Sequence, residues 1–356
     1  MRLIFTRSLF LTVFPAVLFL FFLTAAAPGQ TATAGNQQQP ELTIEDILAE
    51  LRSNKTTAEQ RNKLLNIEVK RRNVDFLLDS EAEKKLRQAG AGNDLIDTIR
   101  RQNVDFYFNR GLNFGKQGDF ISAIADLSKV IELSPNLYEA YYNRGLAYSE
   151  KNENDLAIAD FDKALVIRPS EAAAYLNRGS VYEAKGELDR AIANYNQALS
   201  TNPGYALAYF NRAVAYAKKK DFAHALADYD KAILYKPNFA GAYNNRGNIY
   251  RNRKDYERAL ADYNKVIQYE PDDPRGYNNR GLVYREKGEL DRAVADFDKA
   301  VFLKVDYADA YYNRAGAYAA KGDNDKAIAD LRKVLQLNPD DEKAKENLER
   351  LLKKKQ

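Results

Sequence analysis

The eight residues YYNRGLAY, at positions 141–148, place an asparagine–arginine pair inside an aromatic segment with helical character. The same pair returns six more times, and each asparagine lies 34 residues after the previous one. The seven asparagines are Asn109, Asn143, Asn177, Asn211, Asn245, Asn279 and Asn313. A fixed period of this length predicts an array of similar supersecondary units.

If Asn109 is the sixth position of a unit, the units span 104–137, 138–171, 172–205, 206–239, 240–273, 274–307 and 308–341. Position 4 is always Tyr, position 8 is Gly or Ala, position 11 is Phe or Tyr, and position 20 is Ala. Positions 4, 8 and 11 share one face of a helix, which predicts a packing face where a second helix comes close.

Glycine near position 15 suits a turn between two helices, and it occurs in four units: Gly118, Gly186, Gly288 and Gly322. Proline near the end of a unit stops the second helix, and only Val305 replaces it. Each unit is therefore predicted to be a helix–turn–helix pair that needs neighbours to cover its apolar face.

These features resemble the tetratricopeptide repeat, which has this period and this pattern of small, large and proline positions. The resemblance covers residues 104–341 and implies an all-α fold. Seven antiparallel helix pairs would stack into a right-handed superhelical solenoid with a concave inner surface, and residues 342–356 would supply a capping helix and a basic tail. The related pentatricopeptide repeats bind RNA but have a 35-residue period, so the strict 34 argues against that family.

The arginine of each pair occupies position 7, beside the packing positions. A buried guanidinium needs a partner, and position 23 in the second helix is Asp in six units and Asn194 in the third. We therefore predict a series of Arg–Asp pairs, within a unit or across to the next, with a structural role. Direct ligand binding by these arginines is the alternative.

Position 6 lies on the other face of the first helix, with positions 2, 9 and 13. That face lines the concave groove in tetratricopeptide superhelices. Each amide offers a donor and an acceptor, which match the C=O and N–H of an extended peptide. The resemblance to the asparagine ladders of the glycosyltransferase that modifies Ser and Thr in the nucleus and cytoplasm implies that the seven asparagines bind peptide. The alternative is that each amide hydrogen-bonds locally or to the adjacent unit.

The other groove positions change in character along the chain. Those toward the N-terminal end are mostly apolar, and the peptide-binding candidates there are Phe108, Tyr142 and Phe210. Those in the fifth and sixth units are polar and mildly basic, and the candidates are Asn244, Asn248, Arg251, Arg275, Asn278 and Arg285. The predicted ligand is an extended segment with apolar side chains at one end and acidic or carboxylate groups at the other.

The dicarboxylate clamp by which some tetratricopeptide domains grip chaperone C-termini is not expected here. It needs Lys at position 5 and a basic residue at position 6 of a later unit, whereas position 6 is always Asn in this chain.

Residues 1–27 have the composition of a signal peptide. Arg2 and Arg7 precede an apolar run from Leu9 to Leu23, and three alanines follow it. We therefore expect export, to the periplasm or the exterior of a bacterial cell. An uncleaved membrane anchor formed by residues 8–27 is the alternative.

Residues 28–40 read as a flexible linker, and residues 41–103 as a small helical module. Thr43 is a predicted N-cap, and capping boxes are predicted to start at Thr57 and at Ser80. The module resembles short helical segments that precede repeats in some exported bacterial proteins, and no activity follows from that resemblance.

Composition argues against several functions. The chain has no Cys and one His, His224, so cysteine metal sites, disulfides and most nucleophilic triads lack their parts. Its 54 basic and 50 acidic side chains nearly balance, which gives no basis for nucleic-acid binding. We predict a non-catalytic scaffold, without cofactor or metal, that binds other proteins. The alternatives are an architectural protein that uses its convex surface or self-association, and an enzyme or enzyme subunit whose repeats recruit substrate.

Overall fold

The computed structural model describes residues 40–355, and the chain divides into two compact units after Pro169. The signal peptide and nearly all of the linker predicted from the sequence lie outside the described residues. The described part contains eighteen α-helices and only one isolated β-bridge, so the chain is all-α as predicted. Within that part, no helix has both the length and the hydropathy that a membrane crossing requires.

The first unit contains seven helices: α1 (Ile44–Leu51), α2 (Ala58–Arg72), α3 (Ser80–Gln88), α4 (Asn93–Gln117), α5 (Phe120–Leu133), α6 (Tyr138–Glu150) and α7 (Asn154–Ile167). Helices α1 to α3 and the start of α4 enclose one apolar core around Ile47, Leu86 and Leu95. Helix α4 runs without a break through residues 103 and 104, so the N-terminal module and the first repeat share a helix.

Two of the three predicted caps of the module are confirmed. Thr43 and Thr57 each accept a hydrogen bond from the backbone three residues later and complete a capping box. The prediction for Ser80 is wrong, because Asp79 is the N-cap of α3 and accepts from the N–H of Ala82 at 2.7 Å. Ser80 is the first helical residue.

The second unit contains eleven helices: α8 (Ala172–Ala184), α9 (Leu188–Thr201), α10 (Ala206–Lys218), α11 (Phe222–Tyr235), α12 (Ala240–Asn252), α13 (Tyr256–Tyr269), α14 (Pro274–Glu286), α15 (Leu290–Leu303), α16 (Ala308–Lys321), α17 (Asn324–Leu337) and α18 (Glu342–Lys355). The first ten form the predicted third to seventh repeats, two helices each. Helix α18 caps the last repeat and buries Ala344 and Leu351 against it.

Close packing inside each repeat depends on the small residue at position 8. In the sixth repeat, a Cβ added to Gly281 would lie 2.8 Å from a ring carbon of the fully buried Phe297. At position 15, Gly118, Gly186, Gly288 and Gly322 have left-handed backbone conformations, as the predicted turn requires.

Successive repeats of the second unit stack through alternating helices. Each second helix packs on the first helix of the next repeat. First helices also contact one another directly in the pairs α8–α10, α12–α14 and α14–α16, whereas consecutive second helices of this unit contact one another only marginally. The first helices are therefore closer together, and we call the surface formed by positions 5, 6, 9, 12 and 13 of α8, α10, α12, α14 and α16 the inner face.

Candidate functional site

The arginine at position 7 pairs with position 23 of the same repeat, as predicted. In the seventh repeat, Arg314 Nε donates to Asp330 Oδ2 at 2.8 Å and Nη2 donates to Oδ1 at 2.7 Å. Five further Arg–Asp pairs have this two-bond geometry, and in the third repeat Arg178 Nε donates to Asn194 Oδ1 at 2.7 Å. The five are Arg110–Asp126, Arg144–Asp160, Arg212–Asp228, Arg246–Asp262 and Arg280–Asp296.

The third guanidinium nitrogen reaches the preceding repeat. Arg314 Nη1 donates to Asp298 Oδ1 at 2.7 Å, and the equivalent acceptors in other repeats are Ser128, Asn196, Asp230 and Asn264. The same guanidinium also lies over Tyr311 and Tyr318, with its central carbon 5.3 and 5.9 Å from the ring centres. The hydrogen bond to Asp330 raises the pKa of Arg314. Arg144, Arg212, Arg246, Arg280 and Arg314 therefore join neighbouring repeats and have a structural role.

The amides at positions 5 and 6 form one hydrogen-bonded chain across the fifth, sixth and seventh repeats. Asn244 Nδ2 donates to Asn245 Oδ1 at 3.2 Å, and Asn279 Nδ2 donates to Asn244 Oδ1 at 2.8 Å. Asn278 Nδ2 donates to Asn279 Oδ1 at 3.4 Å, and Asn313 Nδ2 donates to Asn278 Oδ1 at 3.0 Å. We call these five side chains the amide chain. Bonding between adjacent repeats, one of the two roles that the sequence left open, is thus present here.

The remaining position-6 asparagines are less regular. In the second unit Asn177 is half-buried. Asn211 Nδ2, in the fourth repeat, donates to Ser180 Oγ of the third repeat at 3.3 Å. In the first unit Asn109 is exposed, whereas Asn143 is buried and donates to a backbone carbonyl of its own helix at 2.7 Å. The amide chain is therefore a property of the C-terminal repeats.

One further asparagine continues the series after the seventh repeat and was not predicted from the sequence. Asn347 lies 34 residues after Asn313, in the capping helix, and its Nδ2 donates to the hydroxyl of Tyr312 at 2.8 Å. Tyr312 occupies position 5, so this bond repeats the link between positions 6 and 5 of the amide chain. Extending the period past residue 341 would have found it.

Of the three apolar candidates, one is buried and two are half-buried. Phe210 is only 3% exposed and packs on Phe239, with ring centres 4.7 Å apart. In the first unit Phe108 is half-buried, and the half-buried Tyr142 stacks on Tyr138 at 5.6 Å. The exposure of Phe210 is that of a core residue.

The polar candidates differ in whether they already have hydrogen-bond or ion-pair partners within the protein. Arg275 forms an ion pair with Asp273, the N-cap of its own helix. Asn248 Oδ1 accepts from the buried hydroxyl of Tyr263 at 2.8 Å. The two remaining candidates, Arg251 and Arg285, occupy position 12 of the fifth and sixth repeats on the inner face. Burial lowers the pKa of Arg285.

Two further features of the described residues bear on chemistry. The first unit has a cavity of about 490 Å³ where the N-terminal module meets the first repeat, lined in part by Gln102, Phe106, Asn109 and Arg110. No group of three or more His, Cys, Asp or Glu side chains within residues 40–355 is arranged to hold a metal ion.

Helix pairs that stack within each unit, joined in five repeats by a guanidinium that reaches the preceding repeat, and a face of amides and arginines in the second unit define a helical-repeat scaffold for protein–protein interaction. The chain belongs to the tetratricopeptide-repeat family. The model described as TPR repeat matches residues 114–152, 182–220, 247–286 and 281–322, and two models described as tetratricopeptide repeat match 138–171, 206–239, 308–341 and 228–261. Three of these ranges coincide with the second, fourth and seventh predicted repeats. The fold is typically non-catalytic.

Solved structures support the same assignment. A tetratricopeptide repeat protein from Parabacteroides merdae is 24% identical, with a TM-score of 0.54, over 70% of this chain and 99% of that one. The C-terminal part of a repeat protein from Cytophaga hutchinsonii is 22% identical, with a TM-score of 0.56, over 68% and 99%. PilF of Pseudomonas aeruginosa is 18% identical, with a TM-score of 0.54, over 61% and 99%. At these identities the likeness shows the fold alone. The comparison with curated proteins gives no match.

Proposed function

We propose that the chain binds extended segments of other proteins along the inner face of its second unit, without catalysis. The observation that carries this proposal is the amide chain, which spans three consecutive repeats on that face. A side-chain amide has two N–H donors and an oxygen with two lone pairs. Asn244 and Asn279 are half-buried, and each uses one donor and one acceptor within the chain, whereas Asn278 is only 5% exposed and connects Asn279 to Asn313. On Asn244 and Asn279 one donor and one acceptor are left over, which suits the alternating N–H and C=O groups of an extended backbone.

The hydrogen bonds between the amides also favour binding. They hold each side chain in one orientation before a ligand arrives, so less rotamer entropy is lost on association. Neutral amides also avoid the desolvation cost that buried charges carry. The bonds between repeats and the proposed contacts with a ligand are therefore compatible, because they use different hydrogens and lone pairs of the same groups.

The experiment compares an asparagine of the amide chain with an asparagine that lies away from the inner face. Peptides of 10 residues selected from a displayed random library on the wild-type protein are labelled, and their Kd is measured by fluorescence anisotropy. Asn279→Ala interrupts the amide chain, whereas Asn264→Ala removes an exposed amide that contacts Arg280 away from the inner face. We expect at least a tenfold weaker Kd for Asn279→Ala and an unchanged Kd for Asn264→Ala, with equal helical circular dichroism. Equal binding by both variants would refute the proposal.

The architectural alternative has an observation of its own. Leu234 and Phe302 occupy the same position of the fourth and sixth repeats and are 62% and 75% exposed, and Val305 near Phe302 is 70% exposed. Isolated apolar side chains are common at surfaces, but side chains at this periodic position favour self-association. Sedimentation velocity of the wild type and of Phe302→Glu tests this function, and a concentration-independent monomer would exclude it.

We further propose that the protein acts outside the cytoplasm, on the basis of the composition of residues 1–27. Fractionation of the producing cells, with N-terminal sequencing of the mature protein, tests this. A mature chain that results from a cut between Ala26 and Gly35 supports a cleaved signal, and a full-length chain in the membrane fraction supports the anchor.

A further inference from the structure

A recurring ion pair links neighbouring repeats on the inner face. A charged side chain at position 12 of one repeat faces position 13 of the next. Glu183, in the third repeat, accepts a hydrogen bond from Lys218 Nζ of the fourth at 2.7 Å. Arg251, in the fifth repeat, has its Nε 4.0 Å from Glu286 Oε1 of the sixth. In both cases the residue at position 13 supplies the opposite charge.

Arg285 breaks this rule. It occupies position 12 of the sixth repeat, but position 13 of the seventh is Ala320. Among the described residues, no carboxylate lies within ion-pair distance of Arg285. Its only hydrogen bond in that part of the chain is a long one, 3.4 Å from Nη1 to the backbone oxygen of Asn313.

The surroundings of Arg285 make the missing partner costly. The side chain is half-buried, and its guanidinium lies against Gly316, where an added Cβ would be 2.9 Å from Nη1. The charge of Glu286 acts on Arg285 without reaching ion-pair contact, and a guanidinium withdrawn from water without a carboxylate in contact destabilises a protein. Most other inner-face charges are paired, so Arg285 is the cation to which a ligand could supply the missing carboxylate.

We propose that Arg285 anchors a carboxylate of the bound polypeptide, either an Asp or Glu side chain or the C-terminal carboxylate. This inference rests on the proposed function, because it names the ligand group recognised on the same face. A guanidinium presents paired N–H donors that match the two oxygens of a carboxylate. Arg285 bonds to Asn313, the last member of the amide chain, so the anchor lies at one end of the proposed backbone contacts. Arg251 adds a second positive charge one repeat earlier, partly offset by Glu286.

The pairing of Arg251 with Glu286 shows which variant tests this proposal. Ala320→Glu places a carboxylate at position 13, where Glu286 faces Arg251, and should satisfy Arg285 internally. Ala320→Gln is the matched control, because it adds the same bulk without charge. Ala320 is exposed, so both variants should fold. Arg285→Gln, which removes the charge directly, is the second test.

The probes are the 10-residue peptides selected on the wild-type protein, each also made with its acidic residues changed to amides or with an amidated C-terminus. Because hydrogen bonds to charged groups are stronger than neutral ones, we expect Ala320→Glu and Arg285→Gln to weaken Kd about 10- to 100-fold and Ala320→Gln to leave it unchanged. One of the two peptide changes should cause the same loss on the wild type and no further loss on Ala320→Glu. That change identifies the source of the carboxylate.

The outcomes separate this inference from the proposed function. If Asn279→Ala weakens binding but Ala320→Glu and Arg285→Gln do not, the carboxylate anchor is wrong and the peptide-binding face stands. If no peptide binds, or Asn279→Ala has no effect, the proposed function fails and the anchor fails with it. A readout without peptide also exists, because Ala320→Glu should raise the unfolding midpoint relative to Ala320→Gln. An equal or lower midpoint would contradict an unsatisfied Arg285.

Discussion

Asp262 offers the sharpest test of how the repeats are held together. Its side chain is only 5% exposed, and it accepts hydrogen bonds from Nε and Nη2 of Arg246 at 2.9 and 2.6 Å. In Asp262→Ala the guanidinium, 18% exposed, loses both bonds but keeps Asp230 on Nη1 at 2.5 Å. Breaking a buried pair costs about 3–5 kcal/mol, and because Asp230 remains we expect about 3 kcal/mol.

Two further variants make the reasoning quantitative. Asp262→Asn imitates the third repeat, where Asn194 accepts one bond from Arg178, so we expect a loss of about 1 kcal/mol. The double variant Asp262→Leu with Arg246→Met removes both charges and should cost less than Asp262→Ala, because no charged group is left without its partner.

The assay must be local, because a repeat array does not unfold as one cooperative unit. Native-state hydrogen exchange of amides in α12 and α13 measures the free energy of opening of the fifth repeat, and amides in α8 and α9 serve as the internal control. A loss for Asp262→Ala no larger than that for Asp262→Asn would refute the reasoning. So would a double variant that costs as much as Asp262→Ala or more.

Three other predictions concern local backbone and charge. Val305→Pro should raise stability by about 0.4–1 kcal/mol in urea unfolding, because Lys304 already has an extended backbone, as Arg168, Asn202 and Asn338 have before proline in three other repeats. Lys254→Gly should raise the free energy of unfolding by up to about 1 kcal/mol, seen as a higher urea midpoint, since Lys254 has φ of 62° where four repeats have Gly. Asp323 is the N-cap of α17, and hydrogen bonds from the Lys326 side chain and backbone lower its pKa. The stabilisation by this cap is therefore fully present above the ordinary pKa of 3.8. It is lost as the pH falls through the lowered pKa. Hydrogen exchange in α17 should therefore accelerate in acid, and Asp323→Asn should flatten that dependence.

Much of the fold follows from local rules. The 34-residue period, the aromatic and small residues at helical spacing, and glycine at the turn predicted every helix pair from residue 104 onward. The partner of each position-7 arginine was also predictable, because Asp recurs at position 23 with the same period. The boundary between the helical module and the first repeat was placed between residues 103 and 104. Nothing in the sequence interrupts the helix there, and α4 continues through that point.

The contacts on the inner face were harder to predict because equal positions in a repeat acquire different partners. Asn143 bonds within its own helix, whereas Asn279 bonds across repeats. Phe210 and Arg275 were chosen for their place in the repeat, but Phe210 is buried against Phe239 and Arg275 is held by Asp273.

The amino-acid sequence by itself determined the class of fold and the register of the repeats, because helix periodicity, turns and the Arg–Asp pairing are short-range properties that repeat unchanged. Only the tertiary structure decided which amides join into a chain and which arginine lacks a counter-charge. Those outcomes depend on side-chain orientation and on distances between helices of neighbouring repeats. One substitution there, such as alanine at position 320, removes the carboxylate that would face Arg285 without altering the pattern that predicts the fold.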